Sequence, residues 1–143
     1  RVLADSKNIS IRFVGSSVTE VLIDQRTIHI IPSAFIDNAI KYSPAKGTIT
    51  ISVSDEEYNR WPVVALRVDS EGPSATIEEE RSLFVTRGRG AAARAAAEGT
   101  GAGLALAKVV ADQHHADLTV RQERIPGTER SRWLFACLMP VAT

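Results

Sequence analysis

The chain has 143 residues, 44% of them hydrophobic, enough for one domain around a single sizeable core. Its 17 basic and 17 acidic side chains cancel, so no global field draws it to nucleic acid or to an anionic membrane. No apolar run approaches the roughly 20 residues that span a bilayer, and the lone cysteine, Cys137, reads as a buried structural thiol suited to a reducing cytosol.

In chain order, Ile9, Ile11 and Phe13 alternate with polar residues and predict a half-buried strand. Glu20 to Ile23 is a candidate second strand, and Asp24 a candidate helix N-cap. Apolar Ile28, Ile31, Phe35, Ile36, Ala39 and Ile40 then recur at helical spacing as far as Tyr42. Pro32 interrupts that run and either kinks the helix or marks the true start of its second half. After a turn at Ser43 to Gly47, Ile49, Ile51 and Val53 alternate as a strand. A polar loop at Tyr58-Asn59-Arg60 leads into a second strand, Val63 to Val68, so the two read as a hairpin broken at Glu71-Gly72-Pro73.

Ile77 to Phe84 reads as a short acidic helix. Residues 85 to 100 are rich in Gly, Ala and Arg, with no large apolar side chain after Val85, and are expected to be mobile. From Gly101 an apolar helix carrying Leu104, Leu106, Val109 and Val110 runs to about His114. Leu118 and Val120 begin a strand, and Trp133 to Met139 closes the sheet after a turn at Pro126-Gly127. The pattern is an α/β two-layer sandwich in one domain, residues 1–143, with a mixed, mostly antiparallel sheet and its helices on one face. The chain opens at Arg1 rather than Met, without a signal-peptide pattern, as a piece of a longer protein would.

Two constellations carry chemistry. In Asp37-Asn38-Ala39-Ile40-Lys41-Tyr42, the side chains of Asn38, Lys41 and Tyr42 fall at i, i+3 and i+4 and share one helix face. An amide oxygen, an ammonium and a phenol suit a magnesium-triphosphate, with Asn38 a hard oxygen ligand and Lys41 a mobile charge; an amphipathic helix with a solvated polar face is the plainer alternative. Gly99-Thr100-Gly101-Ala102-Gly103-Leu104 runs straight into a helix. Glycines admit a phosphate close to the backbone, where the helix N-terminus offers unpaired N–H groups. The run follows no strand and lacks the third glycine of a dinucleotide fingerprint and the G-K-[ST] ending of a P-loop.

The order of these parts is more specific than any one of them. It resembles the GHKL ATPase superfamily, whose ATP-binding sandwich is called the Bergerat fold, and most closely the catalytic domain of bacterial sensor histidine kinases. Asp37 to Pro44 is similar to that family's N box, Ser70-Glu71-Gly72-Pro73 to its first glycine box, Leu83-Phe84 to its F box, and Gly99 to Leu104 to its second glycine box. The resemblance covers Ile9 to about Pro140. It implies ATP and Mg²⁺ as ligands, with Asn38 chelating the metal and Asn38 and Lys41 as the catalytic pair. Lys41, Tyr42, Gly99, Thr100, Gly101, Gly103 and Leu104 would surround the nucleotide's phosphates, with Gly72 beside it. Residues 74 to 98 would form a lid anchored by Phe84, in which Arg87 or Arg89 either reaches a phosphate or is a solvated charge.

Three positions depart from the family pattern. The aspartate expected two residues before the glycine, to read adenine, is here Ser70. Alternation from Leu66 and Val68 points Ser70 inward and Asp69 outward, and a bulge would reverse them. Ser74 replaces a common glycine. Ala34, one turn before Asn38, stands where gyrase-type relatives place a water-activating glutamate, so efficient hydrolysis is not expected. His29, His114 and His115 read as structural, and none resembles the family's phosphoacceptor. The resemblance therefore implies two partners, a histidine-bearing helical dimerisation domain of the same full-length protein and a response regulator, and a cytoplasmic setting.

Overall fold

A computed structural model describes residues 7–85 and 102–142. The alternating apolar residues around Ile51 build the central hairpin, in which β2 (Thr48–Tyr58) pairs antiparallel with β3 (Trp61–Pro73). Asn59 and Arg60 close it with φ of 50° and 71°, the positive values a two-residue turn needs to match the strand twist. β1 (Ser10–Val14) adds parallel to β2, while β4 (Asp117–Arg124) and β5 (Arg130–Pro140) add antiparallel, in the order β1-β2-β3-β5-β4. The parallel pair requires a long crossover, and that crossover contains α1 (Ile30–Tyr42). α2 (Ile77–Arg81) follows β3, and α3 (Ala102–Gln113) precedes β4.

One face of the sheet holds the main core. Ile31, Phe35 and Ala39 of α1 and Leu104, Ala107 and Val110 of α3 are buried against Ile49, Ile51, Val68, Phe135 and Cys137. Among the described residues, the other face carries a small cluster of Val63, Ala65, Ala136 and Leu138, flanked by Tyr58. This is the expected two-layer sandwich.

Several local expectations give way to tertiary context. Glu20 to Ile23 forms no strand: Val18 and Leu22 are 99% and 78% exposed, and the segment is tied by a bond from Ala142 N–H to Glu20 O. Asp24 caps a turn rather than the long helix. Its carboxylate accepts from the backbone and guanidinium of Arg26, and its carbonyl accepts from Thr27 and Ile28. α1 begins only at Ile30, so Pro32 is its third residue, where a missing N–H costs no helical bond. β3 does not break at Glu71 but continues to Pro73 in unbroken register with β5. Ser74 N–H bonds Glu129 O, so the alternating nitrogen of Pro73 faces away from β5, beyond the end of the β2 ladder. β5, the last strand in the chain, lies between β3 and β4. Phe13 is 76% exposed, and Leu106 and Val109 lie half out on the outer side of α3.

Candidate functional site

Burial of Ile31, Ala34, Phe35, Ala39 and Ile40 fixes the rotation of α1 and turns Asn38, Lys41 and Tyr42 together toward a cleft of about 370 Å³. The Lys41 ammonium stands 5.2 Å from the centroid of the Tyr42 ring. The cleft is bounded by Ser70 and Gly72 of β3 and by Trp133 and Phe135 of β5. Ala75, Glu79 and Leu83 line it from the segment after β3, and Leu104 from the first turn of α3. That turn itself carries no acidic side chain, which suits the positive end of the helix dipole to an anion.

Ser70 is only 6% exposed, while Asp69 faces the other way and pairs with Arg132. No bulge intervenes, and the alternation read from the sequence holds. Gly72 sits at a close approach: a Cβ there would stand 3.2 Å from Trp133 Cδ1 and 3.4 Å from Tyr42 Cβ. At Gly103 a Cβ would meet Ala34 Cβ at 3.6 Å, an ordinary contact that places Ala34 directly beneath the start of α3.

The walls are fastened by polar side chains that carried no motif. Trp133 Nε1–H donates to Pro73 O at 3.0 Å, and the indole stacks on Phe135. The hydroxyls of Ser74 and fully buried Ser131 lie 2.7 Å apart. The Gln122 amide accepts from Ala75 N–H and donates to Ala75 O, at 3.1 and 2.9 Å. Thr76 and Glu79 form a capping box that starts α2, and the Thr76 backbone N–H, then its side chain, holds the Glu79 carboxyl below the usual range. Phe84 joins Phe35 and Phe135 in an aromatic cluster, with centroids 6.5 and 6.1 Å away.

Of the residues singled out from the sequence, Asn38, Lys41, Tyr42, Ser70, Gly72 and Leu104 meet in this cleft. Asp69 does not reach it. Arg87, Arg89, Gly99, Thr100 and Gly101, and the part of the expected lid beyond Val85, lie outside the described residues. Sequence reasoning missed Trp133, Gln122 and Ser131, which sat in unremarkable strand patterns; only an indole within an apolar strand, needing a partner for its N–H, hinted at a site.

A larger hollow of about 610 Å³ is lined by Leu22, Asp24, Arg26, His114 and His115, and of its polar groups Asp24, Arg26 and His114 already serve each other. Asp24 binds Arg26, which with its backbone N–H lowers the carboxyl to about 2. His114 Nδ1–H donates to Val110 O at 2.8 Å, and its Nε2 accepts from Asp24 N–H at 2.9 Å. That pattern needs the neutral ring, so His114 is a structural staple.

A two-layer sandwich with an asparagine helix facing a serine–glycine strand end across a cleft is the arrangement that the sequence resemblance implies. Residues 23–140 match the family model described as histidine kinase-, DNA gyrase B- and HSP90-like ATPase, and the chain belongs to that family. Among solved structures, its fold is similar to full-length ShkA in complex with AMPPNP, with a TM-score of 0.73 at 22% identity, over 99% of this chain and 27% of that one. It is similar to the mycobacterial sensor histidine kinase MprB, with a TM-score of 0.73 at 19% identity, over 98% of this chain and 87% of that one. A third likeness is to the catalytic domain of the histidine kinase ThkA, with a TM-score of 0.72 at 21% identity, over 96% and 82% of the two chains. No curated protein sequence matches the chain. Among the described residues no helix is long and apolar enough to cross a membrane.

Proposed function

We propose that this chain is the ATP-binding catalytic domain of a two-component sensor histidine kinase. In this reading it works in the cytoplasm, transfers the γ-phosphate to a histidine on a separate helical dimerisation domain, and supplies a response regulator through that histidine. The observation that carries the proposal is the meeting of Asn38, Lys41 and Tyr42 with Ser70, Gly72 and Leu104 on one cleft. Full-length ShkA, part of which is similar in fold to this chain, is in complex with AMPPNP, which supports a nucleotide as the ligand.

The donor set suits ATP with Mg²⁺. Asn38 offers an amide oxygen to the cation, Lys41 a positive charge to the phosphates, and the start of α3 its N–H groups. Gly99, Thr100 and Gly101 belong to the same phosphate cradle by sequence pattern alone. Trp133, stacked on Phe135, offers an apolar face to the base, and the Ser70 hydroxyl can both donate to and accept from its edge. Mg²⁺ neutralises phosphate oxygens when bound, and the chain's own residues position and stabilise charge. The attacked imidazole belongs to the partner, so no general base is needed here. Ala34, beneath Gly103, activates no water, and hydrolysis is slow.

Ala34 and Ser70 also favour a second reading, a nucleotide-binding or protein-contact module without transfer. One experiment separates the two: ATP titration with and without Mg²⁺, alongside radiolabel transfer to the histidine-bearing domain. The kinase reading expects ATP binding that Mg²⁺ tightens, an acid-labile, base-stable phosphate on that domain, and loss of the Mg²⁺ effect in a folded Asn38→Ala variant. ATP binding without any labelling would select the nucleotide-binding module, and no ATP binding by a folded domain would defeat the kinase reading in favour of the protein-contact module.

A further inference from the structure

The last turn of α1 carries Lys41 and Tyr42 into the cleft, and a helix end leaves its final carbonyls unpaired. Here two cations from distant parts of the chain occupy them. Lys7 Nζ donates to Ile40 O, Lys41 O and Ser43 O at 3.1, 2.9 and 3.2 Å. Arg130 Nη2 donates to Tyr42 O at 3.2 Å while its Nε pairs with Glu71 on the cleft wall. The four consecutive carbonyls of Ile40 to Ser43 are thereby all taken, at the negative end of the helix dipole where cations are favoured.

Lys7 is also joined through its backbone. Lys46 N–H donates to Lys7 O at 2.8 Å, and Ser10 N–H donates to Gly47 O at 3.0 Å. Asn8 and Lys46 hold φ of 55° and 64°, so both strands of this junction use the left-handed region to bring the chain before β1 against the end of α1.

We propose that Lys7 is a positioning residue for the cleft: by holding the carbonyls of Ile40, Lys41 and Ser43 it fixes the turn bearing Lys41 and Tyr42, and couples nucleotide affinity to the segment that leads into β1. The inference rests on the ATP reading above. Arg130 secures the same turn to the sheet, whereas Lys7 secures it to a segment joined to the body through the parallel edge strand β1. Coupling is reciprocal. A displacement of residues 7 to 10 loosens the cleft, and a bound nucleotide tightens residues 7 to 10.

The test uses the 143-residue chain with Mg²⁺ and ATP. Lys7→Met removes the ammonium, Lys7→Arg retains a cation, and Leu138→Ala, on the opposite face of the sheet, controls for general destabilisation. Lys7→Met is expected to weaken ATP binding by about fivefold or more, the usual lower range of site coupling, with Lys7→Arg restoring most of it and Leu138→Ala leaving it unchanged. In the wild type, ATP should slow hydrogen exchange at Lys46 N–H and Ser10 N–H, and in Lys7→Met that ligand effect should vanish. If Lys7→Met does not fold, Lys7→Gln is judged by the same two readouts. Equal affinity and equal ligand-dependent protection in the folded variant overturn the inference while leaving the ATP reading intact. A folded wild type that binds no ATP overturns both.

Discussion

A methyl group added at Gly72 and one added at Gly103 are expected to move stability in opposite directions, for reasons legible in their surroundings. At Gly72 the new Cβ would sit 3.2 Å from Trp133 Cδ1, 3.4 Å from Trp133 Nε1 and 3.4 Å from Tyr42 Cβ, so something must retreat. The indole cannot do so freely. Its Nε1–H is bonded to Pro73 O at 3.0 Å and its ring is stacked on Phe135 at 6.0 Å. Overpacking of this kind costs about 1–3 kcal/mol, and in a domain of this size each kcal/mol lowers the melting temperature by about 2–4 °C. At Gly103 the nearest atoms among the described residues are Ala34 Cβ at 3.6 Å and Ala34 Cα at 3.9 Å, both ordinary contacts. Replacing a helical glycine by alanine there is worth up to about 1 kcal/mol in favour of the fold. Thermal melts followed by circular dichroism, with ATP titrations in parallel, read both effects. Gly72→Ala should melt lower and bind ATP more weakly, because the side chains it displaces line the cleft. Gly103→Ala should melt at or above the wild type yet bind ATP more weakly, as a glycine kept for ligand approach rather than for folding would. A Gly72→Ala protein with wild-type melting and wild-type affinity would refute the packing argument.

Two further outcomes are expected. Cys137 is buried, and desolvation pushes its thiol up to about 12 from 9.0, so the folded state holds a proton that the unfolded state releases. Stability should therefore be unaffected below about pH 9 and fall between 9 and 12, by at most about 1.4 kcal/mol per pH unit; urea melts of wild type and Cys137→Ala across that range check it, and an equal decline in both would exclude the thiol. His114→Ala removes the acceptor of Asp24 N–H and the donor to Val110 O, which should cost about 1–3 kcal/mol and speed hydrogen exchange at Thr27 and Ile28, in the turn before α1, more than at Ile51 in the sheet.

The sequence by itself determined the parts that depend on local order. Period-two alternation at Ile49, Ile51 and Val53 specified β2, and helical spacing brought Asn38, Lys41 and Tyr42 to one face of α1. Strand parity carried far enough to point Ser70 into the cleft and Asp69 out of it, because the ladder with β5 contains no bulge. What local pattern could not decide was anything set by a distant partner. Pro32 was compatible with a kink or a start until the Asp24 turn, stapled by His114, fixed where α1 begins. Glu71-Gly72-Pro73 looked like a break because its composition disfavours strands, yet pairing with Arg130 to Arg132 carries β3 through it. The Trp133 indole, the Gln122 amide and the Lys7 ammonium have no motif, since each acts on backbone groups 33 to 60 residues away. A hydrogen bond between such distant positions leaves no periodicity in a single sequence, and only the strand order β1-β2-β3-β5-β4 brings its two ends together.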